Sequence, residues 1–318
     1  MINILLINLM IIIQNYLSNY TYKFIILLKT NLKSISYQKK QTKKHNEKKS
    51  KTYIINLKIN NNLFSVSQKN KKSNHKEKEI ILKSYIEKNN KILIGEEEFL
   101  QIYIIIKQKL IKNKIPVNSP IAITLGGQPG AGKSNLYKIA RKRFSNNIVE
   151  IDLDKFRIFH PFYWQIKKIY GKNDSIKTNP FVFMIVDMLI EDLSSQKYNL
   201  IIESSLNTPS SALYNGKYLP SKGYKVELHI MATSKEISRQ STIARYNKGV
   251  RNGRGSRFVS EGFHNTVVSN ICNSLEIVKN SGLMSNILLY NRNQKCLYNM
   301  QKDIETNPCK LLNSIIHG

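Results

Sequence analysis

Beyond about residue 96, short apolar runs alternate with longer amphipathic segments. Each run has the length of a buried strand, and each intervening segment is long enough for a helix. This alternation predicts an α/β fold, a three-layer sandwich in which helices cover both faces of a mostly parallel sheet. The predicted strands are Ile121–Leu125, Asn147–Asp152, Asn199–Glu203 and Lys225–Ala232, and the clearest predicted helices are Glu96–Leu110, Asn135–Phe144 and Lys235–Asn247.

The first 95 residues do not show this alternation of apolar runs and amphipathic segments. Residues 2–22 carry no charge, and they predict either a membrane segment or an unstructured apolar leader. The first basic residue is Lys23, so this stretch does not match the positive start of a secretory signal. With either kind of leader, the rest of the chain is expected in the cytoplasm. We expect four parts: an apolar leader over residues 1–37, a lysine-rich and disordered linker over 38–95, a folded domain over 96–290 and a C-terminal tail over 291–318.

The formal net charge of +29 favours nucleic acid or an anionic membrane as a partner. Residues 1–95 hold 19 lysines and four acidic residues, an excess that resembles a compositional bias towards Lys, Asn and Ile. All nine arginines lie at or beyond Arg141. Since arginine suits bidentate contact with phosphate, the position of the arginines predicts a phosphate-handling site in the second part of the chain. Because the lysine excess resembles a compositional bias, no nucleic-acid partner is expected. The three cysteines are too few and too scattered for a disulfide framework or a zinc cluster.

Residues 126–134 read Gly-Gly-Gln-Pro-Gly-Ala-Gly-Lys-Ser and lie between a predicted strand and a predicted helix. They match the G-x-x-x-x-G-K-[ST] loop, whose glycines let successive backbone N–H groups face phosphate oxygens. Lys133 is expected to reach the outer phosphates of ATP, and Ser134 is expected to offer its hydroxyl to Mg²⁺. The candidate nucleotide-binding residues are Gly127, Gln128, Pro129, Gly130, Ala131, Gly132, Lys133 and Ser134.

Carboxylates follow the next two predicted strands, at the edge where open parallel sheets bind ligands. Asp154 is a candidate to accept a proton from a substrate hydroxyl or to hold magnesium, although aspartate at this junction is also a common helix cap. Arg157 comes one helical turn later. Glu203 and Ser205 end the third strand and are candidates to hydrogen-bond a substrate, with a surface carboxylate of no special role as the alternative for Glu203.

Arginine and glycine dominate a later segment. Arg245 lies on the predicted helix, and the nine residues from Gly249 to Arg257 contain three glycines and three arginines. This composition predicts a mobile, positively charged flap. Arg245 and Arg257 are candidates to neutralise a phosphoryl group during transfer, with contact to an RNA backbone or simple solvation as the alternatives.

The order of these motifs resembles that of the zeta toxin family, from about Glu98 to Leu289. It comprises the glycine-rich loop, the pattern Asp152-x-Asp154-x-x-Arg157-x-x-His160-Pro161, the run Ile-Ile-Glu203-Ser-Ser205, and then Arg245 and Arg257 ahead of His264. The resemblance implies a P-loop kinase fold, use of ATP and Mg²⁺, phosphorylation of a hydroxyl of the nucleotide sugar UDP-N-acetylglucosamine, and a small antitoxin partner. It implies catalytic roles for Lys133, Asp154, Arg245 and Arg257, and substrate contacts from Asp154, Arg157, Glu203 and Ser205.

Three residues depart from the family pattern. Ser204 replaces a glycine, Ser205 replaces a threonine, and Asn207 stands where an arginine is usual. These positions belong to the segment expected to choose the acceptor, so the resemblance specifies kinase chemistry more closely than it specifies the acceptor. Two alternatives stay open: a P-loop kinase acting on an antibiotic, a metabolite or a polynucleotide end, and a basic nucleotide-binding protein associated with nucleic acid or membrane.

Overall fold

A computed structural model describes residues 94, 96–252 and 256–318 of the 318-residue chain. The predicted leader and nearly all of the predicted linker lie outside the described residues.

The elements follow one another as α1 (Glu96–Ile111), β1 (Ile121–Gly126), α2 (Ser134–Arg143), β2 (Val149–Ile151), α3 (Leu153–Phe156), α4 (Tyr163–Tyr170), α5 (Asp174–Ser195), β3 (Leu200–Ile202), α6 (Ser210–Tyr218), β4 (Lys225–Met231), α7 (Lys235–Arg251), α8 (Glu261–Asn280), β5 (Asn286–Tyr290), β6 (Cys296–Asn299) and α9 (Pro308–His317), with 3-10 turns at Arg157–Phe159, Gly171–Asn173 and Leu219–Lys222.

The six strands form one sheet in the order β2-β3-β1-β4-β5-β6. All neighbouring pairs are parallel except β5 and β6, which run antiparallel. The chain moves from β1 to one side of the sheet for β2 and β3, and then crosses to the other side for β4 and β5. The prediction of a mostly parallel α/β sheet is confirmed, and its central strand is the one that precedes the glycine-rich loop.

Alternate residues of the strands enter two separate apolar clusters, one on each face of the sheet. Ala122 and Ile123 of β1 lie in different clusters, and Ile287 and Leu288 of β5 divide in the same way. The larger cluster includes side chains from α1, α5, α6, α8 and α9, whereas the smaller one includes side chains from α2. Because both faces are apolar, both need a helical cover, and this produces three layers.

Local capping residues mark where α7, α8 and α9 begin. Ser234 and Ser260 precede α7 and α8, and each accepts a hydrogen bond from the backbone N–H three residues ahead. Asn307 caps α9 in the same manner, with Pro308 at the first helical position. Each cap satisfies N–H groups that the helix itself leaves unpaired.

Helix α7 is longer than the sequence pattern predicts. It continues to Arg251, so the prediction of a flap starting at Gly249 is wrong for its first three residues. Lys248 and Arg251 lie in the last turn, where positive charge is favourable beside the helix's exposed carbonyl groups. Residues 253–255 of the same segment lie outside the described residues.

The segment 291–318, expected as a tail, belongs to the same sheet and core. Strand β6 extends the sheet and α9 packs against α8. The side chains of Tyr298, Leu312 and Ile316 are buried in the larger apolar cluster.

Within the described part of the chain, every helix is too short or too polar to cross a lipid bilayer. Residues 2–22, the candidate membrane segment, are not among the described residues.

If α9 is part of the core, Leu312→Ala should lower the free energy of unfolding by roughly 2–5 kcal/mol, since it removes a fully buried side chain and leaves a cavity. Urea denaturation of the full chain measures this. Lys310→Ala, at an exposed position of the same helix, is the control and should change stability little. Equal stability of the two variants would show that α9 does not contribute to the core.

Candidate functional site

The glycine-rich loop connects β1 to α2 and takes backbone conformations that require glycine. Gly127, Gly130 and Gly132 have φ angles of 135°, 82° and 98°. These values lie where a side chain is strained, so three of the four glycines in the loop sequence coincide with bends of the loop.

One bend brings the loop against the start of α7. A Cβ atom on Gly130 would lie 2.0 Å from the carbonyl oxygen of Ser238. Gln128 is fully buried beside this contact, and its Nε2 donates to the carbonyl of Thr233 at 2.7 Å. The Thr233 hydroxyl in turn donates to the carbonyl of Ala131 at 2.8 Å. The loop and the chain entering α7 therefore form one packed unit.

Several donors of the loop remain available to a ligand. Among the described residues, the backbone N–H groups of Gly130, Gly132 and Lys133 donate to no protein acceptor. The Lys133 ammonium donates to the carbonyl of Gly127 at 2.9 Å and lies 3.8 Å from Glu203 Oε1. Burial lowers the pKa of Lys133, while the Glu203 carboxylate acts against this shift. The arrangement offers unpaired amides and an ammonium group to an anion.

Asp154 lies just beyond β2, and its carboxylate is not used as a helix cap. Asp152 caps α3 instead, because its side chain accepts the backbone N–H of Asp154 at 3.1 Å. The two oxygens of Asp154 have different partners: Arg157 Nε donates to Oδ1 at 2.9 Å, and the guanidinium of Arg257 lies 3.4 Å from Oδ2.

Arg157 is itself buried and anchored to α5. Its guanidinium donates to the carbonyl of Ser175 at 2.9 Å, to the hydroxyl of Thr178 at 2.7 Å and to Oδ1 of Asn179 at 2.9 Å. Together with the bond to Asp154, these contacts use four of its five N–H groups. Arg157 thus holds Asp154 in place.

Positive charge dominates the surroundings of Asp154. Burial raises its pKa, but Arg257, Arg157 and Arg245 together have the larger effect, and the pKa lies below the ordinary value. Asp154 is therefore ionised at neutral pH. Arg245 and Arg257 also lower the pKa of Lys133, so the sequence-predicted cations and the carboxylate occupy one electrostatic site.

The Arg257 side chain is the least satisfied of these groups. Its Nε is buried and has no hydrogen-bond acceptor among the described residues. An unpaired guanidinium N–H in a buried position is costly unless an acceptor arrives. Arg257 is thus prepared for an anionic ligand.

Glu203 follows β3 and lies beside the Lys133 ammonium group. Tyr137 donates to Glu203 Oε2 at 3.3 Å. Burial raises the pKa of Glu203 to about 7, with Lys133 opposing the shift and Asp152 adding to it. Ser205 lies in the next turn, where its hydroxyl accepts the backbone N–H of Asn207 at 3.3 Å and its carbonyl accepts the N–H of Gly127 at 3.4 Å.

The sequence motifs did not single out Ser238, which connects the loop to α8. Its hydroxyl lies 2.9 Å from Nε2 of His264 and 3.4 Å from Nε2 of Gln128. All three side chains are fully buried. His264 occurs in the motif order, but only the fold shows that it contacts Ser238, which in turn contacts Gln128 of the loop.

The protein oxygen atoms near the loop suit a magnesium ion that is held mainly by phosphate and water. Ser134 is exposed at the first position of α2, next to the phosphate-binding lysine. The described residues contain no group of three or more His, Cys, Asp or Glu side chains that could hold a metal alone. Mg²⁺ commonly keeps several waters and binds substrate phosphates with one or two protein oxygens, so a single hydroxyl here is compatible with it.

Comparison with known proteins identifies one family. A family model described as "Zeta toxin" matches residues 107–303. "Toxin PezT" of Streptococcus pneumoniae is 34% identical over 212 residues, which cover 66% of this chain and 83% of that protein. "Toxin zeta" of Streptococcus pyogenes is 33% identical over 206 residues, which cover 64% and 72%. A solved structure from the PezAT chromosomal toxin–antitoxin system of Streptococcus pneumoniae superimposes with a TM-score of 0.65 at 31% identity, over 71% of this chain and 88% of that one.

Gly130→Ala tests the packing between the loop and α7. The variant should lose roughly 2–5 kcal/mol of stability, because a strained φ and a backbone clash add together. Gly282→Ala is the matched control: its φ is also positive, at 65°, but nothing lies within 4 Å of the added Cβ. Urea denaturation of both variants separates the clash from the strain. Equal losses would mean that the contact with Ser238 is unimportant.

The raised pKa of Glu203 predicts a dependence of stability on pH. A carboxyl group with a pKa near 7 in the folded chain and 4.5 as its ordinary value binds a proton more tightly when folded. Its contribution to stability is therefore lost as the pH rises from about 4.5 to about 7. We expect Glu203→Gln to gain stability relative to the unmodified chain across this window, in urea denaturation at pH 5, 6, 7 and 8. Glu276→Gln, at an exposed carboxylate of α8, is the control. A difference that is constant from pH 5 to pH 8 would contradict the assignment.

Proposed function

Because this chain belongs to the zeta toxin family of P-loop kinases, we propose that it transfers the γ-phosphate of ATP to a hydroxyl group of a nucleotide sugar, UDP-N-acetylglucosamine. The observation that carries the proposal is the meeting of an ionised carboxylate, Asp154, with the phosphate-binding lysine and an unpaired buried guanidinium. Phosphoryl transfer requires these parts, since the chemistry depends on positioning and on neutralising the transferred group.

The phosphate-binding loop holds the triphosphate in this proposal. The unpaired N–H groups of Gly130, Gly132 and Lys133 bind phosphate oxygens, and the Lys133 ammonium leaves Gly127 and Glu203 for the outer phosphates. Ser134 would hold a magnesium ion, which supplies further positive charge to the phosphates when bound.

Asp154 has the role of the base. Its Oδ1 is fixed by the 2.9 Å bond from the anchored Arg157, whereas Oδ2 has only the long 3.4 Å contact with Arg257. Oδ2 is therefore the oxygen that is open to an acceptor hydroxyl. Although a low pKa makes Asp154 a weak base, it keeps the carboxylate ionised and oriented, and the hydroxyl proton becomes acidic as its oxygen bonds to phosphorus.

Arg245 and Arg257 neutralise the phosphoryl group. Arg257 has a buried Nε without an acceptor, and Arg245 lies exposed on α7 within electrostatic range of both Lys133 and Asp154. When the γ-phosphate draws Arg257 towards itself, Asp154 Oδ2 is released to the acceptor. Ligand binding thereby completes the catalytic group.

The acceptor is inferred from the family resemblance. Glu203 and Ser205 lie where β3 ends, next to Lys133, and provide a carboxyl and a hydroxyl for sugar hydroxyls. Asn207, which stands in place of the usual arginine, is turned towards α8, where its Oδ1 accepts from Asn270 at 3.2 Å. An acceptor of this chain therefore has one charged contact fewer than the family pattern provides.

We further propose a small antitoxin as a partner. The support comes from the PezAT relative, which is described as a toxin–antitoxin system and shares the fold at 31% identity. If a small protein is encoded next to this chain, loss of the chain's kinase activity on co-purification of the two proteins would support the proposal, and an unchanged activity would contradict it for that protein.

The central test is phosphate transfer from ATP by the full chain in the presence of magnesium. We expect mass spectrometry to show one added phosphate on UDP-N-acetylglucosamine, and none on an aminoglycoside or an RNA 5′ end. Asp154→Asn should reduce the rate by roughly 10²–10⁴ while ATP affinity changes little, because the carboxylate acts on the acceptor. Glu276→Gln is the control for a carboxylate-to-amide change.

The possible failures are distinct. Phosphate on a different acceptor would overturn the proposed substrate and leave the kinase activity in place. A rate for Asp154→Asn close to that of the unmodified chain would remove Asp154 from the mechanism.

A further inference from the structure

Helices α8 and α9 bring together two cysteines that lie 37 positions apart in the sequence. Cys272 belongs to α8, and Cys309 is the second residue of α9. The thiol of Cys309 donates to the backbone carbonyl of Cys272 at 3.2 Å, and the sulfur of Cys272 lies 3.8 Å from the carbonyl oxygen of Cys309. Because each sulfur atom contacts the backbone of the other residue, the two cysteines are direct neighbours across the contact between the helices.

The surroundings of the two thiols do not suit a metal ion. A structural zinc site takes four ligands, mostly cysteine and histidine. The described residues contain no group of three or more His, Cys, Asp or Glu side chains that could hold a metal. The third cysteine of the chain, Cys296, is exposed on β6 and does not join the pair. The chemistry that two adjacent thiols share without a metal is oxidation to a disulfide.

The packing of α9 holds the pair together. Leu312 and Ile316 of α9 are buried in the same apolar cluster as Ile271 of α8, the residue next to Cys272. Two cysteines can be bridged without backbone movement only if their Cα atoms lie within about 7 Å of each other, which restricts the bond to residues in contact. Rotation about the two Cα–Cβ bonds would turn each sulfur from the facing carbonyl towards the other sulfur.

We propose that Cys272 and Cys309 are a site of reversible oxidation, at which an intramolecular disulfide fastens α9 to α8. The oxidant is a small-molecule disulfide such as oxidised glutathione. One cysteine thiolate attacks it, which forms a mixed disulfide and releases one small thiol, and the second cysteine then displaces the other. Two cysteine thiols are oxidised, one disulfide is reduced to two thiols, and the two cysteine protons pass to the released thiolates.

Burial sets the conditions under which this exchange occurs. It raises the pKa of the Cys272 thiol, and burial together with the neighbouring Cys272 raises the pKa of Cys309 to about 11. The attacking species is the thiolate, so the exchange is slow near neutral pH and becomes faster as the pH rises. Both residues are half-buried, which leaves the pair accessible to a small oxidant.

The bond would join the last helix to the part of α8 that supports the segment after β3. Asn270 donates to Asn207 Oδ1 at 3.2 Å, and the Ser274 hydroxyl donates to the Asn207 carbonyl at 3.4 Å. A cross-link between Cys272 and Cys309 also removes conformations from the unfolded chain. Oxidation is therefore expected to stabilise the folded domain.

Mass spectrometry of the oxidised full chain tests the bond directly. The folded protein is kept dilute with oxidised glutathione at about pH 8.5, near the ordinary pKa of a cysteine thiol, then alkylated and digested without reduction. We expect one pair of peptides joined through Cys272 and Cys309. A bond through Cys296, a bond between two chains, or glutathione retained on Cys272 or Cys309 would each overturn the proposal.

Thermal unfolding with and without oxidation measures the effect of the bond. The oxidised chain should unfold at a temperature roughly 5–15 °C higher than the reduced chain. Cys272→Ser and Cys309→Ser should lose this shift, since each lacks one of the two sulfur atoms. Cys296→Ser is the matched control and should keep it, and the unfolding of each reduced variant checks that the fold is retained.

The two measurements decide different parts of the inference. A cross-linked chain that unfolds at the same or a lower temperature would contradict the stabilising role of the bond. A shift that persists in Cys272→Ser and Cys309→Ser would show that oxidation acts elsewhere. Neither readout uses kinase activity, so the result does not depend on which acceptor the chain phosphorylates.

Discussion

The close contact between the phosphate-binding loop and helix α7 is the constraint on which the site depends. The carbonyl of Ser238 occupies the space that a side chain at residue 130 would need, and Gln128 joins the same contact from inside the loop. Because α7 carries Arg245, the position of this arginine relative to the phosphates is set by backbone packing. Electrostatic attraction to a ligand would then act on an arginine whose helix is already in place, and this limits the reorganisation of the backbone during reaction.

Two carboxylates within this site have opposite electrostatic surroundings. Guanidinium groups hold the pKa of Asp154 below its ordinary value, whereas burial raises the pKa of Glu203 to about 7. Carboxyl groups whose pKa values are separated in this way can take different parts in one reaction. Asp154 is suited to remain an acceptor, and Glu203 is able to donate or accept a hydrogen bond as the pH requires. Lys133 lies next to Glu203 and within electrostatic range of Asp154, so a change in its contacts affects both.

The sequence was most informative where structure is local. The glycines of the loop, the lysine behind them and the aspartate after β2 belong to short motifs whose spacing follows from one turn or one strand end. The contacts of Ser238 with Gln128 and His264 could not be predicted, because they join segments that are distant in sequence. The apolar residues of α9 were missed for the same reason: Leu312 and Ile316 meet their partners only once the rest of the core has formed. The sequence alone did not show which of Asp152 and Asp154 caps α3. The structure shows that Asp152 does, so the Asp154 carboxylate can pair with Arg157 and Arg257.

Strand β6 and helix α9 follow all the other described elements along the chain, and this order has a consequence for synthesis. The sheet is complete only after β6 has been added, and the core is closed only after Ile316. Domains generally fold as units as they emerge from the ribosome. A nascent chain that already contains the whole glycine-rich loop and all the arginines of α7 therefore still lacks a closed core. A stable site is therefore expected only after β6 and α9 have been synthesised, even though all of its candidate residues leave the ribosome earlier.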